Sequence, residues 1–142
     1  MHRRRPSLAE AECSLSYFSL ARDGPRGKVT IMRMGRVIIE SPFAGDVEAN
    51  RAYLQECIRD CIARGESPYA SHQMLTTALD DTDEAQRNAG IEAGYAWWAV
   101  ADEIVFYTDL GWSRGMNRAR AEIERRLEYG LDVPVWSARS IR

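Results

Sequence analysis

Lysine is nearly missing from this chain: of 19 basic residues only Lys28 is a lysine, a bias that points to no mechanism. A dominant charge is missing too. The 19 basic residues stand against 21 acidic ones for a net charge of −2, so no global field argues for a nucleic acid polymer as partner. Histidine is scarce, His2 and His72 only, and cysteine occurs three times, as Cys13, Cys57 and Cys61. The two histidines lie far in sequence from the Cys57–Cys61 pair, which argues against a metal site and leaves the thiols as small buried hydrophobes. No cofactor is implied. Long hydrophobic runs are absent as well: the Arg3-Arg4-Arg5 run is followed by Pro6 and a mixed segment with Glu10 and Glu12, not by an apolar stretch that reads as a signal peptide or membrane span. The expected setting is cytoplasmic, with no membrane partner. What is present, 142 residues of which 45% are apolar and 28% charged, suits one compact core.

Residues 1–35 read as an extension distinct from the rest. Residues 14–20 and 28–34 suit either a β-hairpin around the turn at Asp23-Gly24-Pro25-Arg26-Gly27 or a loose lead-in to Met34-Gly35. From Arg36 the pattern becomes regular. Val37-Ile38-Ile39-Glu40 is a short buried strand, followed by the loop Ser41-Pro42-Phe43-Ala44-Gly45. Asp46 caps a helix with Ala49, Tyr53, Cys57, Ile58, Cys61 and Ile62 at helical spacing, and Gly65 ends it. Ser67-Pro68-Tyr69-Ala70 is a second strand, leading through Ser71-His72 to a turn of helix over residues 73–79. Residues 80–83 offer several N-caps for a helix over residues 84–100, with Ala85, Ala89, Ala93, Ala96, Trp97 and Val100 on one face and Gly90 and Gly94 marking close packing. Residues 103–108 form a third strand. The Gly-rich turn from Asp109 to Met116 then opens a long helix at Gly115 or Met116, closed by Gly130 before Val133-Pro134-Val135.

Strand and helix therefore alternate, which predicts a single three-layer α/β domain over residues 36–142. It is Rossmann-like or flavodoxin-like, with a mostly parallel sheet of four to five strands. Ligands in such sheets sit beyond the carboxyl ends of the strands, here residues 41–45, 71–72 and 109–116. The turn at 109–116 is the most informative of the three, because backbone N–H groups and a helix amino terminus converge there on an anionic or sugar-bearing small molecule.

These segments carry a resemblance. Ser41-Pro42-Phe43, Asn50 with Arg51, Pro68-Tyr69-Ala70-Ser71-His72, Leu79-Asp80-Asp81, Arg87 with Gly90, and Ser113-Arg114-Gly115-Met116 occur in an order and spacing similar to the nucleoside 2-deoxyribosyltransferase superfamily. The likeness is closer to its small bacterial and phage members, and it spans roughly residues 36–135. It implies a nucleoside or nucleoside 5′-monophosphate as the small-molecule partner. It also implies a glutamate early in the last helix that attacks the anomeric carbon while an acid protonates the leaving base, as in retaining glycosidases. Ser113 and Gly115 then fall on the turn that holds the 5′ end.

The sequence departs from this pattern at the nucleophile. Six residues after Ser113 the chain has Ala119, whereas counting back from Gly130 aligns Ala121-Glu122-Ile123 with the superfamily's Ala-Glu-Ile. Three extra residues turn a helix by about 300° and lengthen it by ~4.5 Å, so Glu122 reaches the sugar only if the helix starts near Arg118. Two functions stay open. One is an N-glycosidase or deoxyribosyltransferase with Glu122 as nucleophile and Asp109 and Asp81 shaping the sugar and acid sites. The other is a non-catalytic nucleotide or nucleotide-signal binding protein on the same fold. In either, Ser41, Pro42, Phe43, His72, Trp112, Ser113, Gly115 and Met116 are the candidate binding residues. Each has a plainer alternative: His72 as a hydrogen-bonded loop cap, Asp80 and Asp81 as solvated caps, Arg51 as an exposed arginine, Arg87 as the partner of Asp83 or Glu84. Trp97 and Trp98 cannot both face inward, which suggests a homodimer contact among Tyr95, Trp97 and Trp98, while Trp112 is placed to stack on a base.

Overall fold

The computed structural model describes residues 19–23 and 28–142, and the chain divides into two units, Met1–Met34 and Gly35–Arg142. In the first unit β1 (Ser19–Asp23) pairs antiparallel with β2 (Lys28–Met32), from Ser19 opposite Met32 to Asp23 opposite Lys28. The antiparallel pairing is the one the hairpin expectation requires; residues 14–18 and 24–27 of that expectation and Cys13 lie outside the described residues.

In the second unit β3 (Gly35–Glu40), α1 (Val47–Ala63), β4 (Glu66–Tyr69), α2 (Ser71–Leu75), α3 (Glu84–Ala96), a 3-10 turn (Trp97–Val100), β5 (Glu103–Tyr107), α4 (Arg114–Glu128) and β6 (Val135–Arg139) follow one another. All strand pairs are parallel, in the order β4-β3-β5-β6. The domain is thus α/β with a four-stranded parallel sheet, in the Rossmann-like or flavodoxin-like manner. The chain leaves β3 toward one side and returns to β5 on the other, so the switch point lies between these two neighbours.

Three consecutive β-branched residues make β3 a central strand: Val37, Ile38 and Ile39 are all buried, because a parallel sheet is covered on both faces. On one face α1 packs Tyr53, Leu54, Cys57 and Cys61 against Val37, Ile39, Val105 and Tyr107. On the other, α3 and α4 bring Tyr95, Trp98, Met116, Ala119 and Ile123 onto Ile38, Ile104 and Phe106. Cys57 and Cys61 are fully buried and free, and burial pushes their thiols up to about 12 and about 11, which removes the reactive thiolate at neutral pH.

Two faces read from spacing need correction. In α1 the half-exposed Ile62 gives way to Leu54 and to Asn50, whose amide donates to the carbonyls of Phe43 and Ala44 at 3.1 and 3.0 Å and pins the preceding loop. In α3 the expected stripe of Ala85, Ala89, Ala93, Ala96, Trp97 and Val100 is the exposed face, and the helix buries Gly94, Tyr95 and, just beyond it, Trp98, with Ile91 partly buried beside them. Large side chains gain more from leaving water than alanines do, so they set the rotation of the helix. The glycines do mark close packing: a Cβ on Gly94 would stand 2.8 Å from Ser71 Oγ, and one on Gly90 3.1 Å from Leu79 Cδ1.

Polar staples close the strand ends. The Asp102 carboxylate accepts from the Arg36 backbone N–H at 2.7 Å and from its guanidinium at 3.2 and 3.1 Å. Arg139 on β6 donates to Glu66 at 2.7 and 2.8 Å and to Glu103 at 3.1 Å, joining both edges of the sheet to β5. Among the described residues no helix is long and apolar enough to cross a membrane.

Candidate functional site

Three loops meet the carboxyl end of the sheet. After β3 the chain runs Ser41-Pro42-Phe43 before Asp46 caps α1, its side chain accepting from the Ala49 N–H at 3.1 Å. After β4, Ala70 leads at once into α2. The structure brings these two loops together: Ser41 Oγ lies 3.1 Å from His72 Nε2, and the Phe43 ring meets the His72 ring edge-on with centroids 6.2 Å apart. Ser41 and Pro42 are buried and Phe43 is half-buried. Burial pushes His72 down to about 4, so its imidazole is neutral at physiological pH, and its Nδ1 is buried without a hydrogen-bond partner among the described residues.

The third loop begins with Asp109, whose acceptor capacity is already filled. Its carboxylate accepts from Tyr53 Oη at 2.6 Å, from Ser140 Oγ at 2.5 Å, and from the backbone N–H groups of Ile141 and Arg142 at 3.1 and 3.0 Å. The Ser140 and Tyr53 hydroxyls, then those amides, hold it far below the ordinary carboxylate range. Asp109 is therefore a clasp for the segment after β6 and not the open sugar-hydroxyl acceptor expected at this position.

Gly111 takes φ +80° in the turn, its N–H donating to the Thr108 carbonyl at 2.8 Å. Trp112 follows, with its ring 5.0 Å from Phe106 and 5.7 Å from the Arg120 guanidinium, which also lies over Trp136. The ring expected to stack on a base thus has neighbours of this chain on it, although about a third of the residue stays exposed. Ser113 caps α4, accepting the Met116 N–H at 3.2 Å through Oγ, while its carbonyl accepts the first helical bond from Asn117 at 3.0 Å. Met116, one of the expected binding residues, is 1% exposed and belongs to the core, whereas Gly115 is exposed in the first turn.

The cap decides the question of register. With α4 starting at Arg114, the condition that would bring Glu122 into the first turn is not met. Glu122 lies nine residues beyond the cap, about 14 Å down the helix axis. There it accepts from Arg125 at 2.7 and 2.8 Å and from Arg126 at 2.7 Å, and these two arginines hold it down to about 2. Ala119, in the position expected of a nucleophile, is 1% exposed and packs against the sheet. Asp81 is exposed, and its partner is Arg87, 3.7 Å away, in place of the Asp83 or Glu84 pairing expected for that arginine. Asp80 and Asp83 serve as local caps for Thr82 and Gln86.

One group escaped the sequence reading, and Tyr95, expected among the homodimer-contact aromatics, is buried in the core. Glu40 ends β3 at the switch point, in register with Phe106 of β5. No hydrogen bond or ion pair reaches it among the described residues, and loss of solvation alone pushes its carboxyl up to about 8. A charged residue closing an otherwise apolar strand was the available signal. On α3, Tyr95 is pushed up to about 12, first by burial and then by the negative charge of Glu40, with Arg118 opposing. Arg118 reaches across from α4 to Asn88 Oδ1 at 3.2 and 3.3 Å. Glu40, Tyr95 and Arg118 thus share one electrostatic neighbourhood on the α3–α4 face.

Compared with known proteins, the chain matches no curated protein and no solved structure. One protein family matches residues 35–133, described as a domain of unknown function, DUF7768. That match covers most of the chain and lies within the parallel-sheet unit, including all three loops and ending before β6, and so the chain belongs to the DUF7768 family.

Proposed function

We propose that residues 35–142 form a domain that binds a nucleoside or nucleoside 5′-monophosphate at the carboxyl end of its sheet without cleaving the glycosidic bond through a glutamate of α4. The observation that carries this reading is the Ser113 cap. It starts α4 at Arg114, leaving buried Ala119 where the superfamily's nucleophile is expected and Glu122 neutralised by two arginines about 14 Å along the helix. A carboxylate bonded to two guanidiniums is a poor nucleophile, since its lone pairs and charge are already engaged.

Support for a bound small molecule comes from the rest of the site. Ser41, Phe43 and the neutral, partly unsatisfied His72 converge beside the switch point. The first N–H groups of a 15-residue helix open toward the same end, which suits a 5′-phosphate or hydroxyl. The test is incubation with the four deoxynucleoside 5′-monophosphates and their nucleosides, read by thermal shift and by chromatography. Stabilisation with the ligand recovered intact is expected, growing as the ratio of ligand to dissociation constant grows. Release of free base that Glu122→Ala abolishes would restore the enzyme reading, and no stabilisation by any member would end the binding one.

A further inference from the structure

The two edges of the parallel sheet are guarded differently. Free N–H and C=O groups along an edge strand pair with any strand that comes near, and folded proteins block them with proline, lysine or a bulge. β4 carries Pro68, which has no N–H to offer. β6 carries neither proline nor lysine, its five residues pair with β5 without a bulge, and among the described residues no strand lies on its outer side. The Arg139 carbonyl accepts from the Thr108 N–H at 3.0 Å. In a parallel ladder alternate residues turn both backbone groups the same way, so Arg139, Ser137 and Val135 face β5 while Trp136 and Ala138 face outward. Among the described residues no hydrogen bond reaches the outward groups of these two.

We propose that β6 is the dimer strand of this domain: two copies of the chain join along it, antiparallel about a two-fold axis through Ser137, so that their sheets continue into one another. The strand is its own complement in this register. Trp136 stands opposite the partner's Ala138 and Ala138 opposite the partner's Trp136, and each pair exchanges two N–H···O bonds, so every outward group of both strands is bonded. A large ring thus lies beside a small side chain on the face where Trp136 already packs edge-on against Phe106, with centroids 5.7 Å apart. On the opposite face Ser137 meets the partner's Ser137, and Val135 meets the partner's Arg139. Neighbouring registers lose this fit. One sets Trp136 against the partner's Trp136 and Ala138 against the partner's Pro134, which lacks an N–H; the other sets Trp136 against the partner's Ser140, a residue that Asp109 already holds beyond the end of β6. The apolar surface is of the size a dimer needs. Val135 and Trp136 are 72% and 38% exposed, and Leu127, Tyr129 and Leu131, on the stretch that leads from the end of α4 into β6, are exposed as well. Together these five leave roughly 600 Å² open on each copy, of the order of the ~800 Å² that each partner buries in a standard stable interface. The pairing does not depend on what the loops after β3, β4 and β5 hold.

Sedimentation equilibrium of the full chain, from about 1 to about 100 μM, should show a dimer or a monomer–dimer equilibrium. Ala138→Pro removes an outward N–H and leaves the bonds to β5, which run through Val135, Ser137 and Arg139; it should weaken dimerisation by roughly ten-fold or more while the circular dichroism stays that of the parent. Val135→Lys, at an exposed position, should act in the same direction and takes its place if Ala138→Pro does not fold. Ser137→Cys reads the register. It is made on Cys13→Ser, so that the buried Cys57 and Cys61 are the other thiols. Across a non-hydrogen-bonded antiparallel pair the Cα atoms lie about 4.5 Å apart, within reach of a disulfide, so mild oxidation should give a covalent dimer that a reductant reverses and that Cys13→Ser alone does not form. A parent that stays monomeric to about 100 μM overturns the proposal. A dimer that Ala138→Pro and Val135→Lys leave unchanged, or that Ser137→Cys does not cross-link, has its interface elsewhere and overturns it as well.

Discussion

At the scale of single residues, carboxylates of this chain divide by whether a partner reaches them. Asp109 and Glu122 are acidic because hydroxyls, amides or guanidiniums bond their charged forms; Glu40 is driven the opposite way by loss of solvation, with no hydrogen bond or ion pair to it among the described residues. Asp109 thereby fastens residues 140–142 over Tyr53, whose ring also lies 5.6 Å from the Arg142 guanidinium. Its folded-state pKa is depressed, so its contribution is present above the ordinary value of 3.8 and is lost as pH falls below it. Asp109→Asn should therefore melt below the parent at neutral pH, with the gap closing in acid. A melting series from pH 7 downward checks this, and a gap that persists at the acid end would mean that shape, not charge, makes the clasp.

At the scale of elements, the three long helices α1, α3 and α4 are each positioned by one cap and one set of large side chains. Asp46, Asp83 and Ser113 each accept a backbone N–H of the first turn, and these bonds set where α1, α3 and α4 begin. Side-chain size then sets which face is buried. The adjacent tryptophans after α3 show it directly: Trp98 is 2% exposed against Tyr95 at a centroid distance of 4.4 Å, while Trp97 is 49% exposed with its ring centroid 5.1 Å from that of Tyr69. Trp98→Ala should cost about 3–5 kcal/mol in chemical denaturation, as large-to-small changes in packed cores do. Trp97→Ala should cost under about 1 kcal/mol in the same measurement. Equal losses would mean that Trp97 is covered in solution, and its face would then be the place to look for a second copy.

At the scale of the whole molecule, pH acts through two opposed, partly buried groups. His72 is depressed from 6.5 to about 4, so the unfolded chain binds the extra proton between these values and stability falls as pH drops through that window. Glu40 is raised from 4.5 to about 8, so the folded chain holds the extra proton there and stability falls as pH rises through that window. Between 4.5 and 6.5 the two slopes cancel, and from 6.5 to about 8 only the Glu40 loss remains. Maximum stability should accordingly lie on the acid side of neutrality, above the range where the depressed carboxylates protonate. Glu40→Gln should flatten the decline toward pH 8, and denaturation midpoints measured from pH 5 to 8 in both proteins decide it; an unchanged decline would place its origin elsewhere.

The order of elements in the second unit, the buried strand at Val37–Ile39, the caps at Asp46 and Asp83 and the meeting of three loops at one end of a parallel sheet were legible in the sequence. Periodicity, β-branching and cap chemistry act over a few residues, so a linear reading captures them. The ambiguity between Ala119 and Glu122 was legible too, but not its resolution, because the choice of Ser113 as cap depends on how α4 seats Met116 and Ile123 on the sheet. Nor could the sequence place Asp109: its partners Ser140, Ile141 and Arg142 return to it only because β6 pairs with β5 more than thirty residues later. That Glu40 has no hydrogen-bond or ion-pair partner among the described residues is likewise a property of the packing of α3 and α4. Local pattern determined which elements exist and where they begin. Only the tertiary structure decided which charged groups are bonded by partners, because hydrogen-bond and charge partners are assigned across the sheet and not along the chain.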